Sequence, residues 1–324
     1  MSNNMKTILT GIKCSGVPHV GNYLGSFQPA IEQANTGDAK SFFFLADFHA
    51  LNQIKDPTEL QRSVREIACA WLACGLDPKK TVFYKQSDVP EIFELTSILG
   101  NVTSKGLMNR AHSYKACVQK NVEAGLDPDD DVNIGLFTYP VLMAADILIM
   151  KTNFVPVGQD QKQHIEMATD IAKSFNAIYG NVLTIPKEII RTDVAVIPGL
   201  DGRKMSKSYN NTIPLFCDST ELLKHIKRIP TDSSAPDAEK PADHLIFRLY
   251  KHFTNKDPDR KIGWGDAKQQ LFVAMDTVIK PMRDKYNYLI NNYSEVEKIL
   301  TQGAIEARKM AKETITAVRS AIGA

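Results

Sequence analysis

The sequence predicts an α/β fold, a doubly wound parallel sheet followed by a smaller all-helical C-terminal domain. Three observations carry this. Short apolar segments alternate with helical patterns through the first half of the chain, the signature of βαβ units and parallel pairing. One of those segments, Ser41 to Phe48, is continuously bulky rather than alternating, as a strand covered on both faces is. From Ser219 onward, charged amphipathic helical patterns replace the strand candidates. At 324 residues the chain has room for one large and one smaller unit, divided here as 1–200 and 201–324.

In chain order, Thr7 to Ile12 is a strand that breaks into a turn holding Ser15, Gly16 and Gly21. A helix follows from Asn22, with Tyr23, Leu24, Phe27 and Ile31 near helical spacing. After the Ser41–Phe48 strand, Asp56-Pro57-Thr58 starts a helix that runs to about Cys74 and stops at Gly75. Thr81 to Lys85 is the next strand, and Asp127 to Asp131 an acidic solvated loop. Then come a helix over Tyr139–Met150, a strand over Phe154–Val157 and a helix over Asp160–Tyr179. Asp160 followed three later by Gln163 reads as a capping box opening that last helix.

Composition excludes several classes. Hydrophobic residues at 43% and charged residues at 23% suit a chain that buries a core, not a disordered one. The most apolar run, Val141 to Met150, falls short of the ~20 residues a spanning helix needs, and Asp146 interrupts it. The N-terminal segment lacks the apolar stretch of a secretory signal. Five cysteines (Cys14, Cys69, Cys74, Cys117, Cys217) without a CxxC pair predict reduced thiols, a cytoplasmic protein and no protein-held metal. The net charge is only +2, but Arg203 to Arg228 carries six Lys/Arg against two Asp/Glu, a local basic face of the kind a nucleic acid requires.

Two segments carry chemistry. Pro18-His19-Val20-Gly21-Asn22 places His19 and Asn22 where a helix begins, and Gly21 lets a nucleotide approach the backbone. By itself this is equally a glycine turn with a solvated histidine. Lys204-Met205-Ser206-Lys207-Ser208 sets two lysines three apart in a hydroxyl-rich loop after Pro198-Gly199-Leu200-Asp201-Gly202. Such a cationic clamp suits charge developing on a pyrophosphate leaving group. Alone it would be a solvated basic loop; nearly two hundred residues after a His-Val-Gly-Asn turn, it is much less ordinary.

Together these two segments resemble the paired signatures of class I aminoacyl-tRNA synthetases. Gly21-Asn22-Tyr23-Leu24-Gly25, Thr138 to Asp146 and Val155 to His164 are similar to segments of the bacterial tryptophanyl-tRNA synthetases, and Asp47 to Leu51 and Gln86 to Pro90 fit as well. The resemblance covers essentially the whole chain. It implies a Rossmann-type catalytic domain carrying ATP at the carboxyl ends of its strands, a helical tRNA-binding portion, Mg²⁺ accompanying ATP, and a homodimer.

The resemblance also implies roles. His19, Asn22, Lys204 and Lys207 would be catalytic. ATP would be held by Lys13, Cys14, Ser15, Gly21, Asn22, Gly158, Gln159, Asp160, Val196 and the loop residues Lys204, Met205, Ser206, Lys207 and Ser208. Tryptophan would contact Asp146 through its indole N–H, with Leu9, Gly11, His49, Tyr139, Met143, Val155, Val157 and Gln161 around it. A carboxylate inside Val141–Met150 is costly to bury without a donor, so Asp146 is either paired internally with an arginine or a backbone N–H, or kept for that indole. Asp160 can cap its helix and reach ligand at once. Lys13-Cys14-Ser15 stands where the family has Gln-Pro or Arg-Pro, which retains a cation but places a thiol beside the nucleotide. The implied reaction joins L-tryptophan to the 3′-terminal ribose of tRNA(Trp) through an adenylate. The alternatives are a tyrosyl-specific synthetase, another nucleotidyltransferase, or a catalytically silent RNA-binding module.

Overall fold

The computed structural model describes residues 5–14, 16–190 and 197–324. Strand β1 (Thr7–Ile12) leads into α1 (Val20–Asn22), a π turn over Tyr23–Phe27 and α2 (Gln28–Asn35). Then follow β2 (Lys40–Leu45), α3 (Asp47–Ala50), α4 (Pro57–Ala73) and β3 (Thr81–Lys85). Helices α5 (Glu91–Gly100), α6 (Lys105–Met108), α7 (His112–Glu123) and α8 (Ile134–Ile149) connect β3 to β4 (Phe154–Val157). Helix α9 (Lys162–Tyr179) and β5 (Lys187–Ile190) complete the sheet. After residue 200 come α10 (Ser219–Lys227), α11 (Leu245–Thr254), α12 (Trp264–Asn291) and α13 (Tyr293–Ile322).

The sheet order is β3-β2-β1-β4-β5 and every pairing is parallel. The chain winds outward from β1 to β3 and then returns to the other side of β1, so the crevice between the carboxyl ends of β1 and β4 is the place where ligands collect in such sheets. The bulky β2 segment is buried on both faces as its composition requires. Phe43 and Leu45 join Trp71 and Phe27 on one side, while Phe42 and Phe44 join Leu9, Tyr84 and the α8–α9 layer on the other. Phe27 stacks on Trp71 at 4.1 Å between ring centroids.

The last helix returns to the sheet. At Gly303, α13 meets the edge strand so closely that a Cβ there would sit 1.8 Å from the Phe83 carbonyl oxygen. That contact covers the exposed edge of β3, which would otherwise offer unpaired backbone groups to another chain. Helix α12 packs on α4, so the helical half braces the sheet as well as extending from it.

Several boundaries differ from the sequence expectation, each for a local reason. The first helix starts at Val20, not Asn22, because His19 Nδ1 accepts the Asn22 N–H and Asn22 Oδ1 accepts the His19 N–H. Strand β2 ends at Leu45, and Asp47 turns the chain into α3. Helix α8 begins at Ile134 rather than Tyr139, capped by Asn133, whose Oδ1 accepts the Leu136 N–H. Helix α9 starts at Lys162 with Gln161 as its N-cap, not at Asp160, whose side chain lies outside the described residues. A 3₁₀ turn over Gln159–Gln161 precedes α9, and Gln163 accepts the His112 N–H and donates to the Arg110 carbonyl.

Candidate active site

The two signature segments touch. Bonds from the Val20 N–H to the Ile213 carbonyl and from the Leu215 N–H to the Pro18 carbonyl hold the His19 turn against the strand-like segment 213–215. Across from it, the Gly21 N–H donates to Met205 Sδ at 3.3 Å. Gly21 keeps this contact tight: a Cβ would lie 3.0 Å from His19 Nδ1 and 3.2 Å from Met205 Cβ, so both neighbours would have to give. His19 is buried, and its pKa is lowered to about 4, first by that burial and then by the charge of Lys207. Its imidazole is therefore neutral near pH 7 and accepts at Nδ1.

The lysine loop hangs on one side chain that the sequence reading missed. Asn211, 2% exposed, accepts the Ser206 N–H through Oδ1 and donates through Nδ2 to the Lys204 carbonyl and to Asp201 Oδ1. Its own carbonyl takes the Leu200 N–H. Gly199 makes this possible, because a Cβ there would stand 2.3 Å from the Asn211 amide. The bond from Asn211, followed by Arg203, holds the Asp201 carboxyl below its usual range. The loop is thereby folded into a hairpin, with Lys204 exposed and Lys207 turned toward Gly16 and Glu66. Partial burial lowers the Lys207 pKa, and the Glu66 charge opposes that.

Beside this contact lies a cleft of about 510 Å³ lined by Lys13, Gly16, Arg62, Glu59 and Glu66 among others. The expected thiol of Cys14 also lines this cleft, but it is withdrawn from its surface. Cys14 is 1% exposed, its Sγ turned to the Ile12 carbonyl, and burial pushes the thiol up to about 12. Gly158 and Gln159 sit at the carboxyl end of β4, where the Gln161 N–H bonds to the Gly158 carbonyl. Ser15, Val196 and the Asp160 side chain lie outside the described residues.

Asp146 is wholly buried on α8 and already has side-chain partners. Among the described residues no arginine bonds it. Gln86 Nε2 donates to both of its oxygens at 2.9 and 3.0 Å, and His49 Nε2 stands 2.9 Å from Oδ2. Burial raises the Asp146 pKa, against the lowering effect of His49 and Gln86. Gln86 is in turn oriented by the Phe48 N–H, which donates to its Oε1 at 3.2 Å. Asp47 fixes the same corner by accepting the N–H groups of Phe48 and Ser87 and the Ser87 hydroxyl. Burial raises its pKa, opposed chiefly by Ser87. Neither Gln86 nor Asp47 was singled out from sequence, although both fall in segments that carry the resemblance.

From Asp146 a polar chain leads outward. The His49 ring meets Tyr139 edge-on at 6.3 Å, the Tyr139 hydroxyl bonds His164, and His164 Nδ1 is 2.8 Å from Gln161 Oε1. Four of the expected tryptophan residues (Asp146, His49, Tyr139, Gln161) are thus joined. Leu9 and Val155 are buried in the same apolar cluster, with Met143 and Val157 half-buried against it. Gly11 faces Phe44, whose ring a Cβ would crowd at 3.0 Å.

Comparison with known proteins agrees with this geometry. Residues 1–280 match the family described as tRNA synthetases class I (W and Y). The chain is 50% identical to a tryptophan–tRNA ligase of Pseudomonas putida, over 98% of this chain and 73% of that protein. It is 49% identical to one from Xanthomonas axonopodis pv. citri, over 100% and 77% respectively. The crystal structure of tryptophanyl-tRNA synthetase from Campylobacter jejuni complexed with ADP and tryptophan superposes with a TM-score of 0.88 at 39% identity, covering 98% of this chain and 100% of that one. A tyrosyl-tRNA synthetase from Aeropyrum pernix shares the fold, with a TM-score of 0.65 at 16% identity over 92% of this chain and 90% of that one. With both signature segments in contact at the end of a parallel sheet and half of its residues shared with such relatives, the chain belongs to the class I tRNA synthetases of the tryptophan and tyrosine group.

Proposed function

We propose that this protein is a tryptophan–tRNA ligase that activates L-tryptophan with ATP and transfers it to the 3′-terminal ribose of tRNA(Trp). The observation that carries the amino-acid assignment is Asp146. A carboxylate offers about four acceptor positions, and its three donor contacts leave Oδ1 able to take one more N–H. An indole N–H is a donor of that kind, and a site built to bond a buried N–H rejects analogues without it.

In the first step the tryptophan carboxylate attacks the α-phosphorus of ATP in line, forming the mixed anhydride and releasing pyrophosphate. The protein forms no covalent bond; positioning and charge stabilisation supply the catalysis. Lys204 and Lys207 meet the charge growing on pyrophosphate, with neutral His19 and Asn22 beside it. Lys13, Gly21, Met205, Ser206 and Ser208 border the nucleotide, and Gly158, Gln159 and Asp160 its ribose. Among the described residues no group of three or more His, Cys, Asp or Glu stands ready to hold a metal. Mg²⁺ brought in with ATP would supply charge neutralisation there. In the second step a terminal ribose hydroxyl of the tRNA attacks the anhydride carbonyl and AMP leaves.

Residues 201–324 carry the lysine loop and the basic helices that grip tRNA, an interaction that weakens with salt. The role in protein synthesis places its work in the cytoplasm. Exposed Phe48, Leu51, Val122, Leu126 and Ile134 support a homodimer, a second copy covering an apolar surface that a monomer leaves to water. Pyrophosphate exchange into ATP tests the assignment. Exchange with tryptophan and not tyrosine is expected; exchange with tyrosine alone, or with neither, overturns it.

A further inference from the structure

We infer that Gln86 is the positioning residue for tryptophan selection: its side-chain amide, aimed by the Phe48 backbone, holds the Asp146 carboxylate with one acceptor site turned to the indole N–H. This rests on the reading of Asp146 given above. The geometry leaves the amide a single orientation. Its oxygen is taken by the Phe48 N–H, so its nitrogen faces Asp146, and swapping the two would set a carbonyl against a carboxylate. Gln86 is 0% exposed, so no water replaces it, and the strand-end corner that carries it is clipped by Asp47 to Ser87.

The inference also explains how a carboxylate buried in an apolar layer keeps its acceptor character. Among the described residues Gln86 and His49 are the two side chains bonded to it, and of these Gln86 is the one that reaches both oxygens. The titratable groups that face Asp146 are His49 and Asp47 at α3 and Tyr84 on β3, whose buried hydroxyl has no partner among the described residues. On the helices packed against α8, Glu91 on α5 pairs with Arg308 on α13, Glu94 with Arg319, and Glu166 on α9 with Lys162.

The test is tryptophan-dependent pyrophosphate exchange by the full chain, with KM for tryptophan and for ATP followed against pH in wild type, Gln86→Met, Gln86→Glu and Asp146→Asn. Losing a charged, buried hydrogen bond raises the tryptophan KM of Gln86→Met by roughly 10–100-fold. The loss is largest at low pH, because Asp146 without its donor keeps a proton to higher pH. Gln86→Glu, nearly isosteric, shows the opposite slope. At low pH the two carboxyl groups share a proton and the donor is restored, and as pH rises two like charges face each other and KM climbs. The ATP KM stays put in both. A uniform loss at every pH, or no loss in Gln86→Met, overturns the role of Gln86. If Asp146→Asn leaves the tryptophan KM at its wild-type value, the reading of Asp146 fails first. If Asp146→Asn raises it while the Gln86 variants keep the wild-type pH profile, only the Gln86 inference fails.

Discussion

The two ends of the candidate site are built on different principles. The amino-acid end is a closed polar network sunk in the core: Asp146 and Gln86 have no exposure at all, and each polar atom is fixed by a neighbour on another element. The nucleotide end is a hairpin loop resting on one buried asparagine and one thioether contact, with exposed lysines at its tip. The contrast teaches where discrimination and where charge handling reside. Recognising one ring among many asks for a site that does not yield, whereas lysines that must meet a phosphate chain and release it are best carried on a loop that does.

The largest break in that contrast is at the loop. Lys207→Ala is expected to lower kcat for pyrophosphate exchange by about 10²–10³-fold, the magnitude typical of losing a charge-stabilising donor, while tryptophan binding measured by fluorescence quenching is retained. Next is a pair of glycines. Gly303→Ala drives a Cβ into the Phe83 carbonyl, so it is expected to destabilise the fold by about 3 kcal/mol, at the upper end of overpacking costs, and to lower Tm in a thermal melt. Gly199→Ala crowds the buried Asn211 amide and its backbone carbonyl, so it should lower Tm less than Gly303→Ala does and raise the ATP KM as well.

Asn211→Ala removes the three side-chain bonds that shape the loop. An ATP KM about 10-fold higher with an unchanged tryptophan KM is the expected result in steady-state exchange. The smallest effect is a pH dependence. The folded pKa of His19, about 4, lies below its unfolded value near 6.5. Its contribution to stability is therefore complete above pH ~6.5 and is lost as pH falls through 4. Since the imidazole is already neutral across that window, His19→Asn should remove this part of the acid destabilisation seen in a pH series of denaturant melts.

Much of this was legible in the sequence, and the rest was not for physical reasons. The strands Thr7–Ile12, Thr81–Lys85 and Phe154–Val157 were read at their observed limits because buried parallel strands are short apolar runs between turn residues. The strand Lys187–Ile190 was missed because it opens on two charged residues, Lys187 and Glu188, and so lacks the apolar run that marks the others. The start of α8 was missed because Asn133 caps it after an acidic loop that reads as coil. In the site, residues named for their local pattern came together, but partners distant in sequence did not announce themselves. Gln86 stands 60 positions from Asp146, and nothing around Asn211 marks it as the support of a loop that begins at Lys204. That Cys14, in the lining of the cleft, is 1% exposed could not be read either, because chain position says nothing of which way a side chain turns.

The central claim is that Asp146 reads the indole N–H. Its most direct test is the ratio of kcat/KM for tryptophan to that for the analogue whose ring nitrogen is replaced by sulfur, measured by pyrophosphate exchange in wild type and in Asp146→Asn. The account predicts that the wild type favours tryptophan by roughly 10²-fold or more and that the variant loses most of that preference. A preference left intact in Asp146→Asn would contradict it.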